Sequence, residues 1–204
     1  MDEVEALLEQ LRRHVADPRV LAAIASIPRE RFVDPRDRER AYENVALPID
    51  CEQTISQPLV VARMLEVLML RDTDRVLDVG TGSGYHAALL ARLAAHVWTI
   101  ERHPELTERA RATLAELGIE NVSFAVGDGY GGLPAWAPFD AINVAAAIGD
   151  DVPFELTEQL APEGRLLAPV GAGEQHLVLI RRTAAGFERQ QLEPVRFVPL
   201  VRDR

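Results

Sequence analysis

Apolar side chains recur at helical spacing in three segments of the first 70 residues, over residues 2–16, 19–27 and 58–70. Asp17-Pro18 separates the first two segments, because proline cannot continue a helix. Residues 42–55 show no clear period and are predicted to be irregular. Ser56 is predicted to cap the third helix, with Pro58 in its first turn.

From residue 75 onward, short apolar strands alternate with amphipathic helices. Strands are predicted over residues 75–79, 97–101, 121–126, 139–144 and 165–169. Helices are predicted over residues 83–93, 105–117 and 154–160. Residues 176–182 and 187–197 are predicted to pair as a closing hairpin that adds an antiparallel strand. The predicted fold class is therefore α/β: a doubly wound Rossmann-like sheet, mostly parallel, with a C-terminal antiparallel hairpin and N-terminal helices.

A glycine-rich turn links the first of these strands to the following helix. The predicted cofactor-binding residues of this stretch are Asp78, Gly80, Thr81, Gly82, Ser83 and Gly84. Their G-x-G-x-G spacing differs from the G-x-G-x-x-G of dinucleotide sites, in which the helix N-terminus holds a pyrophosphate. An acid before the turn suits a ligand that carries an ammonium group and disfavours a pyrophosphate. S-adenosylmethionine (SAM) has an ammonium group and no phosphate, so the turn favours SAM and disfavours a dehydrogenase.

Two further acids follow the next two strands. Glu101 lies 23 positions after Asp78 and is placed to accept hydrogen bonds from both ribose hydroxyls, with Arg102 beside it. Gly127-Asp128-Gly129 follows the third strand, and Asp128 is placed to accept from an adenine amino group. Capping of the next helix by Glu101 and an ordinary Asp-Gly turn at Asp128 are the alternatives. Because the carboxyl ends of parallel strands meet at one edge, the three acids together favour a SAM-dependent methyltransferase.

Six other stretches of the sequence indicate which kind of methyltransferase this is. They are Tyr42–Ile49, Gln53–Pro58, Gly127–Gly129, Gln159–Leu166, Pro169–Gly171 and Phe197–Leu200. Together with Val76–Tyr85, they make the chain from about Arg31 to Leu200 resemble the protein-L-isoaspartate (D-aspartate) O-methyltransferase family. The Thr54-Ile55-Ser56 motif is much more specific than the glycine turn.

This resemblance implies methyl transfer from SAM to the free α-carboxylate of L-isoaspartyl residues, or to D-aspartyl side chains, in damaged proteins or peptides. The ester then collapses to a succinimide, which reopens partly to aspartate. The resemblance implies catalytic roles for Thr54 and Ser56, and substrate contacts from Ile55, Gln57, Val144 and Ala145. A carboxylate is already ionised at neutral pH, so no general base is needed.

Three positions depart from the family pattern. Asp50-Cys51-Glu52 stands where the family usually has a glycine-containing run, and it places two acids where an anionic substrate is expected to enter. Glycine also permits backbone conformations that other residues rarely adopt. Ala145 lacks a hydroxyl that the family often has, and His86 replaces a position that is often glutamine.

Composition excludes several other classes. The net charge of −10 and the pI of about 5.0 argue against nucleic acid as a partner. All 22 basic residues are arginine, so a lysine nucleophile or a P-loop lysine is impossible. Cys51 is the single cysteine, which excludes an internal disulfide and a cysteine-based zinc site, and the dispersed histidines show no metal-ligand spacing, so no metal is expected.

The start of the chain is acidic and no apolar run approaches a membrane span, so a cytoplasmic monomer without membrane contact is expected. Residues 1–57 are predicted to be an N-terminal helical and substrate-side segment and residues 58–204 the SAM-binding core, within one compact domain. Two alternatives remain open. One is a methyltransferase of the same fold that acts on another peptide carboxylate, as in natural-product tailoring, and the other is a SAM-binding protein without turnover.

Overall fold

A seven-stranded sheet forms the centre of the computed structural model, which describes residues 3–202. Two short strands, β1 (Leu47–Pro48) and β2 (Thr54–Ile55), precede it as a separate antiparallel pair. The strands of the large sheet are β3 (Arg75–Val79), β4 (His96–Glu101), β5 (Val122–Val126), β6 (Phe139–Val144), β7 (Leu160–Val170), β8 (Gln175–Thr183) and β9 (Gly186–Val195). Their spatial order is β5-β4-β3-β6-β7-β8-β9.

The strand directions confirm the predicted fold class. The strands from β5 to β7 are parallel, whereas β8 and β9 are antiparallel additions at one edge. β3 occupies the centre because the chain moves to one side through β4 and β5 and then returns to the other side at β6. Ligands of such sheets bind at the carboxyl ends of the strands where this reversal occurs.

Helices cover both faces of the sheet. They are α1 (Glu3–Leu11), α2 (Pro18–Ser26), α3 (Pro58–Leu68), α4 (Tyr85–Leu93), α5 (Pro104–Glu116) and α6 (Phe154–Thr157). One buried cluster joins α1 to α4 with the sheet, through side chains such as Leu11, Ile24, Leu65 and Leu89. A second cluster lies on the other face and includes Leu156 of α6. No helix of the described residues is long and apolar enough to cross a membrane.

Several predicted elements differ in the structure. The segment expected to be irregular contains the hairpin of β1 and β2, too short to give a periodic signal. The cap of α3 is Gln57 and makes no side-chain capping bond, so the prediction that Ser56 caps this helix is wrong. Pro58 at the first helical position fixes the start of α3, one residue too late for a Ser56 cap. α6 ends at Thr157, β7 begins five residues earlier than expected, at Leu160 instead of residue 165, and the closing hairpin adds two antiparallel strands.

Met69 ends α3 in the left-handed conformation, with φ 44° and ψ 50°, and its side chain is 55% exposed. Replacement of Met69 by glycine should raise the free energy of unfolding by about 1 kcal/mol, because glycine carries no Cβ to clash in this conformation. Urea unfolding measures the change. Met69→Ala is the matched control because it keeps the Cβ, and a glycine variant no more stable than the alanine variant would contradict the prediction.

Candidate active site

A cavity of about 310 Å³ lies at the carboxyl edge of the sheet, next to the glycine turn after β3. Its wall is formed by the turn, the end of β4, the segment after β6, the β1–β2 hairpin and the chain after β9. The predicted residues that line it are Thr54, Ile55, Ser56, Gly80, Thr81, Gly82, Ser83, Glu101, Arg102, Gly129 and Ala145. Residues that are far apart in the sequence therefore meet at one cavity, as the strand order requires.

The glycine turn is shaped by backbone conformations that other residues rarely adopt. Gly80, Gly82 and Gly84 have φ values of 93°, 52° and 89°. The Gly80 amide donates to the Ile100 carbonyl at 2.9 Å, which holds the turn against β4. A Cβ on Gly84 would lie 2.8 Å from the Ala110 Cβ, so this glycine allows α4 to pack closely on α5 and does not line the cavity.

Glu101 lies at the end of β4 and is 7% exposed. One carboxylate oxygen accepts from the Gly82 amide at 2.9 Å, and the other accepts from the His103 amide at 3.0 Å. These two bonds fix the carboxylate at the cavity wall. Each oxygen has a second lone pair and can still accept from a ligand hydroxyl.

Asp78 is fully buried beneath the turn and does not line the cavity. Its carboxylate accepts from Asn143 Nδ2 at 2.8 Å and from Thr99 Oγ1 at 2.9 Å, and Thr99 Oγ1 lies 2.6 Å from Thr81 Oγ1. Burial raises the pKa of Asp78 to about 6, with a smaller contribution from the nearby charge of Glu101, while the two hydrogen bonds act in the opposite direction. The side chain therefore supports the turn from below.

Five other predicted residues also lie outside the cavity wall. They are Gly84, Gly127, Asp128, Val144 and Gln57. Asp128 accepts from the Tyr130 amide at 2.8 Å and caps the short 3₁₀ turn Gly129–Gly131, which is the Asp-Gly turn alternative. Val144 is buried within the sheet, paired with Val79.

An open groove of about 760 Å³ adjoins the cavity between α3 and the chain after β9. The two spaces share Thr54, Ser56, Ala145 and Val198, and Gln57 lies in the groove. The charged residue of the groove wall is Arg196, which is exposed. Thr54 and Ser56 thus lie at the junction of the two spaces.

The departure from the family pattern lies on the cavity side of this junction. Cys51 and Glu52 both have φ 57° and occupy the tight turn between β1 and β2. Cys51 and Glu52 line the cavity but not the groove, and Asp50 pairs with Arg109 at 2.5 Å. Burial and the charges of nearby acids, Glu105 first, raise the pKa of the Cys51 thiol. Glu52 thus shares the cavity wall with Thr54 and Ser56, whereas the wall of the groove contains no acid, and the effect of these acids on the entry of a substrate stays a prediction.

A buried arginine that the sequence patterns did not reveal holds the Ser56 segment. Arg29 is 0% exposed, and its guanidinium donates to the carbonyls of Ala41 (2.8 Å), Val45 (3.4 Å) and Ser56 (3.0 Å). It also lies 5.0 Å from the centroid of the Tyr85 ring, at the start of α4. Arg29 is a positioning residue, because it fixes the backbone of Ser56 relative to the helix that follows the glycine turn.

The chain after β9 supplies a wall that sequence reasoning also missed. Residues 198–201 line the cavity. The Ala147 amide donates to the Val198 carbonyl and the Leu200 amide donates to the Ala147 carbonyl, both at 2.7 Å. Phe197–Leu200 was part of the family resemblance, and that was the signal available for this wall.

His86 lines the cavity from α4 and is 6% exposed. Its Nε2 has no hydrogen-bond partner among the described residues. Burial lowers the pKa of His86 to about 4. The folded protein therefore holds this side chain neutral at pH values where an unfolded chain would already protonate it.

Replacement of His86 by glutamine should reduce the acid sensitivity of the fold. As the pH falls from 6.5 toward 4, His86 binds a proton in the unfolded state but not in the folded state. The free energy of unfolding therefore decreases over this pH range. Between pH 7 and pH 4.5 the native protein should lose about 2 kcal/mol more unfolding free energy than His86→Gln. Urea unfolding at both pH values measures this. The control His14→Gln changes an exposed histidine and should retain the native pH dependence; equal losses in all three proteins would contradict the assignment.

A family model, curated sequences and solved structures that are similar to this chain carry the same description. The sequence model of the family described as Protein-L-isoaspartate(D-aspartate) O-methyltransferase (PCMT) matches residues 2–204. A protein-L-isoaspartate O-methyltransferase of Burkholderia thailandensis is 54% identical over 201 residues, covering 96% of this chain and 61% of that protein. A solved protein-L-isoaspartate O-methyltransferase superposes with a TM-score of 0.86 at 30% identity, covering 96% of this chain and 65% of the other.

A second solved structure is a candidate protein-L-isoaspartate O-methyltransferase from Plasmodium falciparum, in complex with S-adenosyl-L-homocysteine. It has a TM-score of 0.85 at 26% identity, and the match covers 97% of this chain and 98% of that one. The chain spans about three fifths of the length of the curated relatives it matches. Because the family model matches from residue 2 to residue 204, the chain belongs to the protein-L-isoaspartate(D-aspartate) O-methyltransferase family.

Proposed function

We propose that this chain is a SAM-dependent carboxyl methyltransferase that acts on L-isoaspartyl, and D-aspartyl, residues of damaged proteins or peptides. The observation that carries the proposal is the position of Thr54 and Ser56, which line both the cavity beside the glycine turn and the adjoining groove. A cofactor in the cavity and a peptide in the groove would meet at these two side chains. Family membership supports the same assignment.

The residues of the cavity suit a nucleoside with an amino-acid tail. The volume of about 310 Å³ is at the lower end of the range for small-molecule sites. Glu101 offers carboxylate oxygens to ribose hydroxyls, and Val79 and Ile100 give an apolar surface. When bound, SAM supplies a methyl group on a sulfonium, from which an acceptor oxygen displaces a neutral thioether.

The chain's own residues then position the acceptor. The acceptor carboxylate is ionised at neutral pH, so a general base is not required and orientation provides the catalysis. The hydroxyls of Thr54 and Ser56 are proposed to orient that carboxylate by donating hydrogen bonds. Arg196 in the groove wall attracts an anionic peptide, and the chain at Val198 and Pro199 limits the access of water.

The remaining expectations form part of the same proposal. After release, the neighbouring peptide nitrogen of the acceptor would attack the methyl ester and expel methanol, which leaves a succinimide. We expect a monomer that acts in the cytoplasm, with residues 1–57 on the acceptor side and residues 58–204 as the cofactor-binding core.

Glu101→Gln tests the cofactor half of the proposal. Glutamine keeps the shape of the side chain but removes the charge, so charge-assisted bonds to ribose hydroxyls are lost. The dissociation constant for S-adenosylhomocysteine should rise by roughly 10- to 100-fold, as expected for hydrogen bonds to a charged group. Isothermal titration calorimetry measures it, with exposed Glu120→Gln as the control. No binding to the native chain at millimolar ligand would refute the cofactor assignment.

Ser56→Ala tests the acceptor half. Methyl transfer is measured on an isoaspartyl peptide and on its aspartyl twin. The native chain should label the isoaspartyl peptide selectively, and Ser56→Ala should lower kcat/KM by roughly 10- to 100-fold, for one lost hydrogen bond to a charged group. Its affinity for S-adenosylhomocysteine should stay within about threefold of native, because the cofactor contacts remain.

Ser26→Ala is the control, since Ser26 is exposed at the end of α2. Background labelling of both peptides by the native chain, with intact cofactor binding, would remove the isoaspartyl assignment. It would leave another peptide carboxylate or a binding protein without turnover as the alternative.

A further inference from the structure

Three metal-ligating side chains from two separate segments meet at the edge of the cavity. They are Cys51 in the β1–β2 turn, and His103 and Glu105 at the start of α5. One donor atom of each, the Cys51 Sγ, a ring nitrogen of His103 and a carboxylate oxygen of Glu105, lies within 4.8 Å of the other two. Cys51 and His103 also line the cavity, whereas Glu105 is exposed outside it.

From this arrangement we propose, against the sequence-based expectation of no metal and no cysteine-containing zinc site, that Cys51, His103 and Glu105 form a binding site for a divalent transition-metal ion of the zinc class. Spacing along the chain did not reveal the site, because one cysteine is joined by a histidine and a glutamate from a distant segment. Thiolate, imidazole and carboxylate are the three protein ligands of zinc, and a water molecule would complete a tetrahedral set. Tetrahedral bonds of zinc length place the donor atoms about 3.5 Å apart, so donors that lie within 4.8 Å of one another need to approach by at most roughly 1 Å. A thiolate and an imidazole select such an ion over magnesium or calcium, which prefer oxygen ligands.

The backbone positions of the ligands are fixed. The His103 amide donates to Glu101 at 3.0 Å, and the His103 carbonyl accepts from the Thr107 amide at 3.1 Å. The side-chain amide of Gln53 donates to the Cys51 carbonyl at 2.9 Å. These hydrogen bonds hold the backbone of Cys51 and His103, so the proposal places the remaining approach of the donors in the side chains.

A brace also joins the two segments directly beside the site. Arg109 of α5 donates to Asp50 at 2.5 Å and to the Val33 carbonyl at 3.2 Å. Arg109 lies one helical turn after Glu105, and Asp50 is the neighbour of Cys51. The brace thus holds the turn that carries the thiol against the helix that carries the other two ligands.

The local charge favours a cation. Glu101, Glu105 and Asp50 act electrostatically on Cys51. Arg102 also lines the cavity, and the guanidinium of Arg109 is bound by Asp50. On coordination the Cys51 thiol loses its proton to solvent, and the ion takes the place of that proton among the carboxylates.

Occupation of the site would couple metal binding to the cofactor cavity. An ion held by Cys51 and His103 lies at the cavity wall next to Glu101, and it cross-links the hairpin to α5. We therefore expect bound metal to weaken S-adenosylhomocysteine binding by about tenfold, within the usual range of coupling between two sites. This second effect depends on the proposed function, whereas metal binding itself does not.

Cobalt(II) is the probe for metal binding, with untagged and metal-free protein. Since Cys51 is the chain's single cysteine, a sulfur-to-cobalt charge-transfer band can come from no other residue. One cobalt ion per chain should produce this band together with the intense visible bands of a tetrahedral site, and zinc should displace it. Absence of the band, or one metal ion shared by two chains, would overturn the proposal whatever the methyltransferase activity.

Variants separate the ligands from their surroundings. Cys51→Ser should abolish the charge-transfer band, and Glu105→Gln should weaken zinc binding by about tenfold or more. Glu108→Gln on the same helix is the matched control and should bind zinc as the native chain does. Metal-free Glu105→Gln should bind S-adenosylhomocysteine within twofold of native, because Glu105 does not line the cavity. If Glu105→Gln and Glu108→Gln bind zinc equally, Glu105 is not a ligand and the three-ligand site is wrong.

Calorimetry of S-adenosylhomocysteine with and without saturating zinc tests the coupling. A native affinity that zinc does not change, while the cobalt bands are present, would overturn the coupling and leave the metal site intact. Failure of S-adenosylhomocysteine to bind the metal-free chain would instead refute the proposed cofactor.

Discussion

The buried carboxylate of Asp78 is the interaction on which the site depends. It joins β3 to Asn143 on β6 and to Thr99 on β4, and Thr99 in turn contacts Thr81 in the glycine turn. Burial of a carboxylate is costly unless its oxygens are hydrogen-bonded. The three central strands must therefore pair in register for this group to be tolerated, and the same register sets the position of the turn. The raised pKa of Asp78 reflects the residual cost of burial.

A second buried polar group organises the opposite side of the cavity. Among residues 3–202, no carboxylate pairs with Arg29. Its charge is stabilised in part by three backbone carbonyls and by the face of the Tyr85 ring. Through these contacts the N-terminal segment is fixed to α4, the helix that begins at the glycine turn. The catalytic geometry proposed for Ser56 therefore depends on residues far from it in sequence. Such dependence is expected where reaction rates rest on the positioning of two substrates.

The β1–β2 turn departs from the family pattern, and its altered residues Cys51 and Glu52 line the cavity beside the glycine turn. Cys51 and Glu52 adopt positive φ, which costs roughly 1–2 kcal/mol per residue relative to glycine. In place of glycine, these two residues contribute a thiol and a carboxylate to the cavity wall. The groove proposed for the acceptor keeps hydroxyl, apolar and arginine side chains. The altered turn is thus compatible with the proposed acceptor groove. It also supplies one ligand of the proposed metal site at the edge of the cavity.

The sequence by itself determined the fold class and the position of the glycine turn, because strand and helix periods and glycine spacing are local properties of the chain. It also marked Thr54 and Ser56 as candidate catalytic residues, through a motif of contiguous residues, and their role stays a prediction. Only the tertiary structure decided which of the marked residues line the cavity, and it assigned Asp78 and Asp128 to support of the loops. The role of Arg29 and the meeting of Cys51 with His103 and Glu105 required it as well. These contacts join residues tens of positions apart, and no periodicity or spacing along the chain encodes a distance of that kind.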